Sequence, residues 1–408
     1  MRFISHTFML RVLLTLSIAA VVFMGHGELF NADAQKNIRI TFIGLIFACV
    51  FLAYLMGLFK ATGVHYLVVN VLLCVLYAFC VSVLRGEAVG ALSSLLRLAS
   101  FGLMVSLVYK SLMSNGARTE IYVLRFFTIT SFFLIVQIAF DYFTERYVFM
   151  NGGIRYYGSV GSPIGLAASS VPLLVGLLYY WIRSGSLSFF VLALGIVWVI
   201  LMTGTRSITF FALCLVWYAC VVYLSNWRRY LFVLGTPLLV MMAVLLLSDT
   251  DFATRLQNTY SSGGVDNSTS FRIFILETYF SNITLSEVVF GLGLGGFHQW
   301  FLQQTGVENV APHFELLWLL SEFGVFGMLV YFLTGFALVV RFLRKRDGRD
   351  ASLWFVFVST GLVHQGFLQV ANPFYFYQFY LPYAVLVGVL LFRLSSSTQA
   401  KAEFRESY

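Results

Sequence analysis

The segments Ser261-Ser-Gly-Gly-Val-Asp-Asn-Ser-Thr-Ser270, Phe290-Gly-Leu-Gly-Leu-Gly-Gly-Phe297 and Ala311-Pro-His-Phe-Glu-Leu-Leu-Trp318 belong to the one long interruption in a chain of apolar runs. This interruption extends from Asp249 to Glu322, and the apolar runs on either side of it decide the fold. The 408 residues are 60% hydrophobic and 11% charged, and the mean hydropathy is +0.86. Such a composition excludes a water-soluble domain, so any chemistry is expected in the polar interruption.

Twelve apolar runs approach the roughly 20 residues that a membrane-crossing helix needs. They cover about 8–25, 41–59, 64–84, 88–109, 121–141, 163–182, 187–204, 208–225, 230–248, 314–340, 352–371 and 376–393. A transmembrane β-barrel would show alternating rather than continuous hydrophobicity, so these runs predict helices. We therefore expect an all-α polytopic membrane protein. It would form a single membrane domain over 1–408, with about twelve transmembrane helices and one long loop, 249–313, between spans nine and ten.

The distribution of Lys and Arg predicts the orientation of these spans. If the amino terminus is cytoplasmic, 17 of the 26 Lys and Arg residues lie on the inner side, eight on the outer side and one, Arg97, within span four. This bias agrees with the positive-inside rule. The long loop then faces outward, into the periplasm of a Gram-negative cell. The net charge of +8 follows from the same bias, so it does not indicate a nucleic-acid partner.

Arginines on the outer side are candidate phosphate ligands, because a guanidinium group can bind two oxygens at once. Arg206 stands at the mouth of span eight in Met202-Thr-Gly-Thr-Arg206-Ser207, and Arg255 and Arg272 lie in the long loop. Arg206 alone is equally consistent with a contact to lipid headgroups, but three outward arginines favour an anion site. Arg155 lies in a Gly- and Tyr-rich connection, which is either a sugar contact or an interfacial turn.

Other ionisable residues have two readings that the sequence leaves open. Arg97 lies about nine residues inside span four, and it is either functional or paired with a group on a neighbouring helix. Glu322 follows Glu315 on one helical face, where it either orients the site or pairs with an arginine. Asp249 and Asp251 are either a cation site or a solvated helix end.

The glycine-rich motif Gly291-x-Gly293-x-x-Gly296 fits the dinucleotide fingerprint, but it lacks the strand–turn–helix context that this fingerprint requires. We interpret it instead as a tight turn in which two backbones approach closely.

His313 is the candidate catalytic residue. Pro312 suits the first position of a helix, so His313 is expected in the first turn of span ten. There the positive end of the helix dipole disfavours the imidazolium form. A neutral imidazole can accept a proton from a sugar hydroxyl. The alternative is an interfacial histidine that only hydrogen-bonds the loop.

In their order and sidedness, these motifs resemble the bacterial O-antigen polymerase and O-antigen ligase family over about 150–345. The resemblance implies a GT-C-like membrane glycosyltransferase that takes a glycan from undecaprenyl diphosphate, inverts the anomeric centre and uses neither a metal nor another cofactor. It assigns Arg206 and Arg272 to the diphosphate, with Arg255 added from the same loop. It assigns activation of the acceptor to His313, and Arg97, Arg155 and Glu322 remain further candidates for substrate binding.

The acceptor differs between the two activities of this family. A polymerase transfers to another lipid-linked glycan, whereas a ligase transfers to lipid A–core. Phe314 stands where many members have Asn, which favours an O-antigen or exopolysaccharide polymerase, with a chain-length regulator protein as a further expected partner. A lipid-linked glycan transporter or flippase is the third reading. It is less favoured because the sequence shows neither internal repeats nor helices broken at the midplane.

Overall fold

The computed structural model describes residues 10–12, 14, 15, 18, 66–150, 153–158, 162–224, 228–230, 232, 233, 235, 236, 267–307, 310, 315–344, 350–363 and 377–396. This part of the chain is almost entirely helical. Its elements are α1 (Tyr66–Leu84), α2 (Ala88–Ser114), α3 (Gly116–Phe143), β1 (Val148–Met150), β2 (Gly153–Arg155), α4 (Pro163–Ser184), α5 (Leu187–Met202), α6 (Arg206–Tyr223), α7 (Asn267–Asn282), α8 (Leu285–Phe290), α9 (Gly296–Thr305), α10 (Glu315–Arg344), α11 (Ala351–Leu362) and α12 (Tyr377–Ser396).

Most of the predicted membrane spans coincide with these helices. Spans three to eight correspond to α1–α6, and spans ten to twelve to α10–α12. Five helices of the described chain are long and apolar enough to cross a bilayer: Ser94–Ser114 within α2, the whole of α3, α4 and α6, and Leu316–Arg344 within α10. Helices α1, α5, α11 and α12 are shorter apolar helices. The prediction of an all-α, multi-pass membrane protein is therefore confirmed. The total of twelve spans stays a prediction, because spans one, two and nine lie wholly or mostly outside the described residues.

The core is built around α4, which is buried along most of its length between α3, α5, α6 and α12. Pro163 opens this helix, and Ser162 caps it by accepting a hydrogen bond from the Gly165 N–H at 3.3 Å. Small residues bring its neighbours close, as helix packing in lipid requires. A Cβ at Gly176, for example, would lie 2.5 Å from the Phe127 ring of α3.

A short hairpin follows α3 on the predicted outer side. Strands β1 and β2 pair antiparallel, with Val148 opposite Arg155 and Met150 opposite Gly153. The sequence analysis predicted an irregular connection here, and the strands are the exception to an otherwise helical chain in the described residues.

The predicted long loop is largely helical where it is described. Helices α7 and α9 pack together through a second hydrophobic core that includes Ile275, Tyr279 and Phe301, and Leu317 of α10 joins this core. Helix α8 begins with a capping box between Thr284 and Glu287. This segment is therefore a folded cap on the start of α10.

Helix α10 is interrupted near its start, at Gly324, which has φ 65° and ψ −169°. A residue without Cβ is needed there, because φ and ψ fall in a region that only glycine populates readily. The interruption lies in the first third of the helix rather than at its centre, so it does not resemble the midplane breaks of transporters.

Candidate functional site

Two of the predicted cations, Arg155 and Arg206, lie on neighbouring segments. Arg155 ends strand β2 and is buried, with 8% of its surface exposed. The N–H of the next residue, Tyr156, donates a hydrogen bond to the Met202 carbonyl at 3.0 Å, which joins the hairpin to the end of α5. Since Arg206 follows Met202 by four residues, this bond brings two separately predicted motifs to one place, on the side predicted to be the outer one.

The turn before Arg206 is held by its own hydroxyl groups. The Thr203 Oγ1 donates to the Ile200 carbonyl at 2.6 Å, and the Thr203 and Thr205 hydroxyl oxygens are 2.7 Å apart. Gly204 has φ 62°, which lets the chain reverse between α5 and α6 in three residues. Arg206 is then the first residue of α6. The positive end of the α6 dipole and the guanidinium group therefore favour an anion at the same point.

Arg272 is carried by a different element. It lies in the second turn of α7 and is half-buried. Phe271, beside it, packs on the second hydrophobic core, and the ring of Phe274 meets Phe301 edge-on with centroids 5.9 Å apart. The sequence analysis placed Arg272 in the long loop, and the structure places it in α7, five residues after the first residue of this helix, Asn267. Packing of α7 on α9 fixes the position of this arginine.

The glycine-rich motif docks on the interruption in α10. The Leu292 N–H donates to the Ser321 carbonyl at 2.6 Å, and the Gly293 N–H donates to the Glu322 carbonyl at 3.1 Å. Gly291 has φ 79°, and a Cβ on it would lie 2.6 Å from the Glu322 carbonyl oxygen. The Tyr77 hydroxyl of α1 donates to the Phe290 carbonyl at 3.0 Å. The motif is thus the close backbone contact that the sequence analysis preferred over a dinucleotide site.

Arg97 and Glu322, both predicted candidates, are electrostatic neighbours. Glu322 is 2% exposed, and its carboxylate accepts hydrogen bonds from the Gly295 N–H and the Trp318 side chain. The charge of Arg97 acts on this carboxylate, as does that of Glu87, and Arg97 also donates to the Ser94 hydroxyl at 3.2 Å. The sequence analysis gave pairing with a group on a neighbouring helix as the alternative to a functional role for Arg97, and both readings stay predictions. Within the described residues, the Glu322 Oε1 has no hydrogen-bond partner.

An ion pair ties the cap to the membrane helices. Arg85, just after α1, donates to Glu287 of α8 at 2.9 Å. Burial alone would raise the pKa of Glu287, but hydrogen bonds from Thr284 and from Arg85 outweigh it and hold the pKa below its ordinary value. Burial raises the pKa of Glu87, and the positive charge of Arg85 opposes this shift. Arg85 therefore favours the ionised form of both carboxylates.

Several predicted site residues lie outside the described part of the chain. These are the catalytic candidate His313 with Pro312 and Phe314, the third arginine Arg255, and the carboxylates Asp249 and Asp251. Their roles stay predictions.

Sequence reasoning missed Glu87 and the hairpin contact. Glu87 lies beside Gly296, at the start of α9: a Cβ added to Gly296 would lie 3.4 Å from its Oε2. Its position at the outer end of a span, ten residues before Arg97, was the available signal. The strands of the hairpin are three residues each, too short to be distinguished from a turn.

Residues 189–332 match the sequence profile of the O-antigen ligase family. This stretch is similar to the O-antigen ligase domain. It contains Arg206, Arg272, the glycine-rich motif, His313 and Glu322, so the resemblance found from these motifs is confirmed. A search of curated proteins found no match. The similarity of residues 189–332 to this family supports a membrane glycosyltransferase of the O-antigen ligase and polymerase type.

Proposed function

We propose that this protein polymerises undecaprenyl-diphosphate-linked oligosaccharide repeat units at the periplasmic face of the bacterial inner membrane. The observation that carries the proposal is the hydrogen bond between Tyr156 and Met202, which brings Arg155 to the turn before Arg206 at the start of α6. Two guanidinium groups near a helix N-terminus suit a diphosphate, whose negative charge increases as the glycan departs.

The proposed reaction is a single displacement at the anomeric carbon. The bond between this carbon and the diphosphate oxygen breaks, and the electron pair leaves with the diphosphate, held by Arg206, Arg272 and Arg255. An acceptor hydroxyl attacks the opposite face of the sugar, so the anomeric configuration inverts. His313 takes the proton of that hydroxyl. The arginines supply the positive charge that the departing diphosphate needs, so the proposed mechanism requires no metal.

Arg97 and Glu322 have a supporting role in this proposal. The charge of Arg97 acts on the Glu322 carboxylate, which lies two residues before the interruption in α10, and the glycine-rich motif docks there through the Ser321 and Glu322 carbonyls. Because α10 begins two residues after His313, an ordered first turn of α10 would position the histidine. Both residues therefore act on the site through the backbone.

Ligation of lipid-linked O-antigen to lipid A–core is the second candidate. The family description names an O-antigen ligase, and the family match does not distinguish the two activities. Phe314, in place of the Asn that many members carry, favours the polymerase. The distinguishing experiment is the lipopolysaccharide pattern of a deletion strain. Loss of a polymerase leaves core bearing a single repeat unit, whereas loss of a ligase leaves bare core and an accumulation of lipid-linked polymer.

Expression of the wild-type gene or of single variants in the deletion strain shows whether the change in the lipopolysaccharide pattern depends on the candidate site. The wild-type gene and an Arg341→Lys variant should restore the wild-type pattern, since Arg341 lies at the other end of α10 and donates to Ser395 at 3.2 Å. An Arg206→Lys variant should restore little. An unchanged pattern in the deletion strain would refute both activities.

A further inference from the structure

Three tyrosines, Tyr142, Tyr147 and Tyr156, form a cluster where the hairpin meets the end of α3. The ring centroid of Tyr156 is 6.0 Å from that of Tyr142 and 6.2 Å from that of Tyr147. Tyr142 and Tyr147 are about half exposed, so their rings are open to a ligand. Tyr156 follows Arg155, and its N–H donates to the Met202 carbonyl at the end of α5. The backbone therefore holds this tyrosine cluster beside the proposed diphosphate site.

Two carboxylates lie near the tyrosine cluster. Burial raises the pKa of the Tyr156 hydroxyl, and after the two neighbouring rings the charges of Glu145 and Asp141 raise it further. This hydroxyl therefore keeps its proton and can donate a hydrogen bond. Arg146, next to Glu145, lies over a different ring, with its guanidinium carbon 5.5 Å from the centroid of Phe140. The charges that act on the Tyr156 hydroxyl are those of the two carboxylates.

Glu145 occupies a position that favours glycine. It has φ 56°, and among the residues that the structure describes it is the one residue other than glycine with a positive φ. The Glu145 N–H donates to the Tyr142 carbonyl at 3.4 Å, and the Arg146 N–H donates to the Asp141 carbonyl at 2.8 Å. Helices that end in this way usually place glycine at the left-handed position, and α4 ends on Gly185, with φ 70°. A carboxylate in this strained conformation indicates a role that glycine could not fill.

The hairpin separates an apolar face from the face that carries Arg155. Phe149 of β1 pairs with Ile154 of β2, and both side chains are exposed. Val148 pairs with the buried Arg155 on the opposite face. Phe149 and Ile154 suit contact with lipid at the membrane interface, which is the alternative role for aromatic residues in this connection. Glu145 does not suit that role, because lipid headgroups carry phosphates that a carboxylate repels.

We propose that the tyrosine cluster and Glu145 bind the sugar that is attached to the diphosphate of the donor, and that this sugar carries no acidic group. The inference rests on the proposed function, and the donor of a polymerase and that of a ligase share this sugar. The C–H face of a sugar ring is apolar and packs on an aromatic ring, whereas its hydroxyls donate to carboxylates. An acidic sugar would bring a further negative charge to Glu145 and Asp141. Because Arg155 and Tyr156 are adjacent, one short segment would contact both the diphosphate and its sugar.

A comparison of two ligands isolates the contact with the sugar. The probes are the lipid-linked glycan extracted from the deletion strain and undecaprenyl diphosphate, which carries no sugar. Their affinities are measured for the full-length protein in nanodiscs. Tyr147→Ala and Glu145→Gly should each weaken binding of the glycan about tenfold, as expected for the loss of one ring contact or one hydrogen bond to a charged group. Both variants should bind undecaprenyl diphosphate as wild type does.

Phe149→Ala is the matched control for Tyr147→Ala. The Phe149 ring is the more exposed of the two, at 70% against 44%, but it lies on the apolar face of the hairpin. This variant should leave both affinities unchanged. An equal loss of glycan binding in Phe149→Ala and Tyr147→Ala would overturn the proposal, because the hairpin rings would then act through their contact with lipid.

Thermal unfolding separates the loss of a ligand contact from misfolding. Glu145→Gly should unfold no earlier than wild type, because the relief of left-handed strain offsets the greater freedom of glycine in the unfolded chain. Unchanged affinity for the glycan in either Tyr147→Ala or Glu145→Gly would overturn the proposal. An equal loss for the two ligands would also overturn it, as would a uronic acid at the diphosphate of the extracted glycan.

Transfer by the wild-type protein is measured with the same extracted glycan. Binding that depends on the sugar, without any transfer, would overturn the proposed enzyme and leave the sugar site in place. Transfer by wild type with unchanged glycan affinity in the variants would overturn the sugar site alone. Absence of glycan binding by wild type would overturn both.

Discussion

Replacement of Gly291 by Ala tests whether the glycine-rich motif and the interruption in α10 form one unit. Gly291 has φ 79° and ψ 172°, a conformation that costs a residue with Cβ about 1–3 kcal/mol. The new Cβ would also lie 2.6 Å from the Glu322 carbonyl oxygen and 2.7 Å from the Gly324 nitrogen. Both are backbone atoms, so relief requires the motif to move, and such overpacking costs roughly 1–3 kcal/mol more. We expect a total loss of about 2–6 kcal/mol.

The matched control for this variant lies four residues away in the same motif. Gly295 has φ 75° and ψ −2°, and a Cβ there would meet no heavy atom within 4 Å. Gly295→Ala therefore carries only the left-handed backbone cost, about 1–2 kcal/mol. The two variants differ in the clash with α10, while both retain every N–H that donates to Ser321 and Glu322.

The assay is thermal unfolding of the purified protein in nanodiscs, with all variants heated at one rate because the unfolding of membrane proteins is often irreversible. The midpoint for Gly291→Ala should fall on the order of 5 °C further than that for Gly295→Ala. Glycan transfer should fall with it, since α10 leads directly from His313. Equal midpoints for the two variants would show that the motif does not pack on α10, and the positioning role of the interruption would be lost.

Three further predictions address the catalytic histidine, the cap and the orientation. His313→Gln should bind the donor normally but transfer glycan about 10²–10⁴-fold more slowly. The activity of wild type should rise with pH through the titration of the histidine, and this rise should be absent in the variant. If the variant transfers glycan within a few-fold of the wild-type rate, His313 acts only as a hydrogen-bonding residue. Folding lowers the pKa of Glu287, so the stabilisation that its ionised form gives is fully present above the ordinary carboxyl pKa and is lost as the pH falls through the lowered value. This stabilisation is about 0.2–1 kcal/mol for a pair of this exposure, so thermal midpoints measured from pH 7 to pH 3 should fall less in Glu287→Gln than in wild type. Parallel curves for the two proteins would contradict the ion pair with Arg85. Reporter fusions at Ser262 should be periplasmic and those at Arg346 cytoplasmic, and the same compartment for both would contradict the predicted topology.

The membrane helices were predictable because the N–H and carbonyl groups of a backbone in lipid must hydrogen-bond to each other, and a continuous apolar run does this only as a helix. A continuous apolar run of adequate length must form a helix, so the observed limits of α4, Pro163–Ser184, agree with the predicted 163–182. Pro163 and the C-terminal Gly185, with φ 70°, mark both ends locally. The arginines were conspicuous in the sequence because charged residues are rare in this chain, and their roles stay predictions.

Contacts between distant segments were not predictable in the same way. The interruption at Gly324 depends on the segment that leads into Gly291, 33 residues earlier. The Val289 carbonyl oxygen and the Gly291 nitrogen occupy the space that a Cβ would need. Gly324 alone resembles any glycine in an apolar helix, such as Gly335, which continues its helix without a break. Likewise, the bond between Tyr156 and Met202 joins segments separated by α4 and α5. Such pairings follow from tertiary packing, which no local pattern of residues encodes.

The central claim is that Arg206, beside Arg155 at the start of α6, binds the diphosphate of the donor. Its most direct test is binding of an undecaprenyl-diphosphate glycan to purified protein, measured for wild type, Arg206→Lys, Arg155→Lys and the control Arg341→Lys. Lysine keeps the charge but cannot present the guanidinium fork, so Arg206→Lys should lose about 1.5–3 kcal/mol, or roughly 10- to 150-fold in affinity. Arg155→Lys should weaken binding in the same direction, and Arg341→Lys should leave it unchanged. Wild-type affinity in both Arg206→Lys and Arg155→Lys would contradict the account.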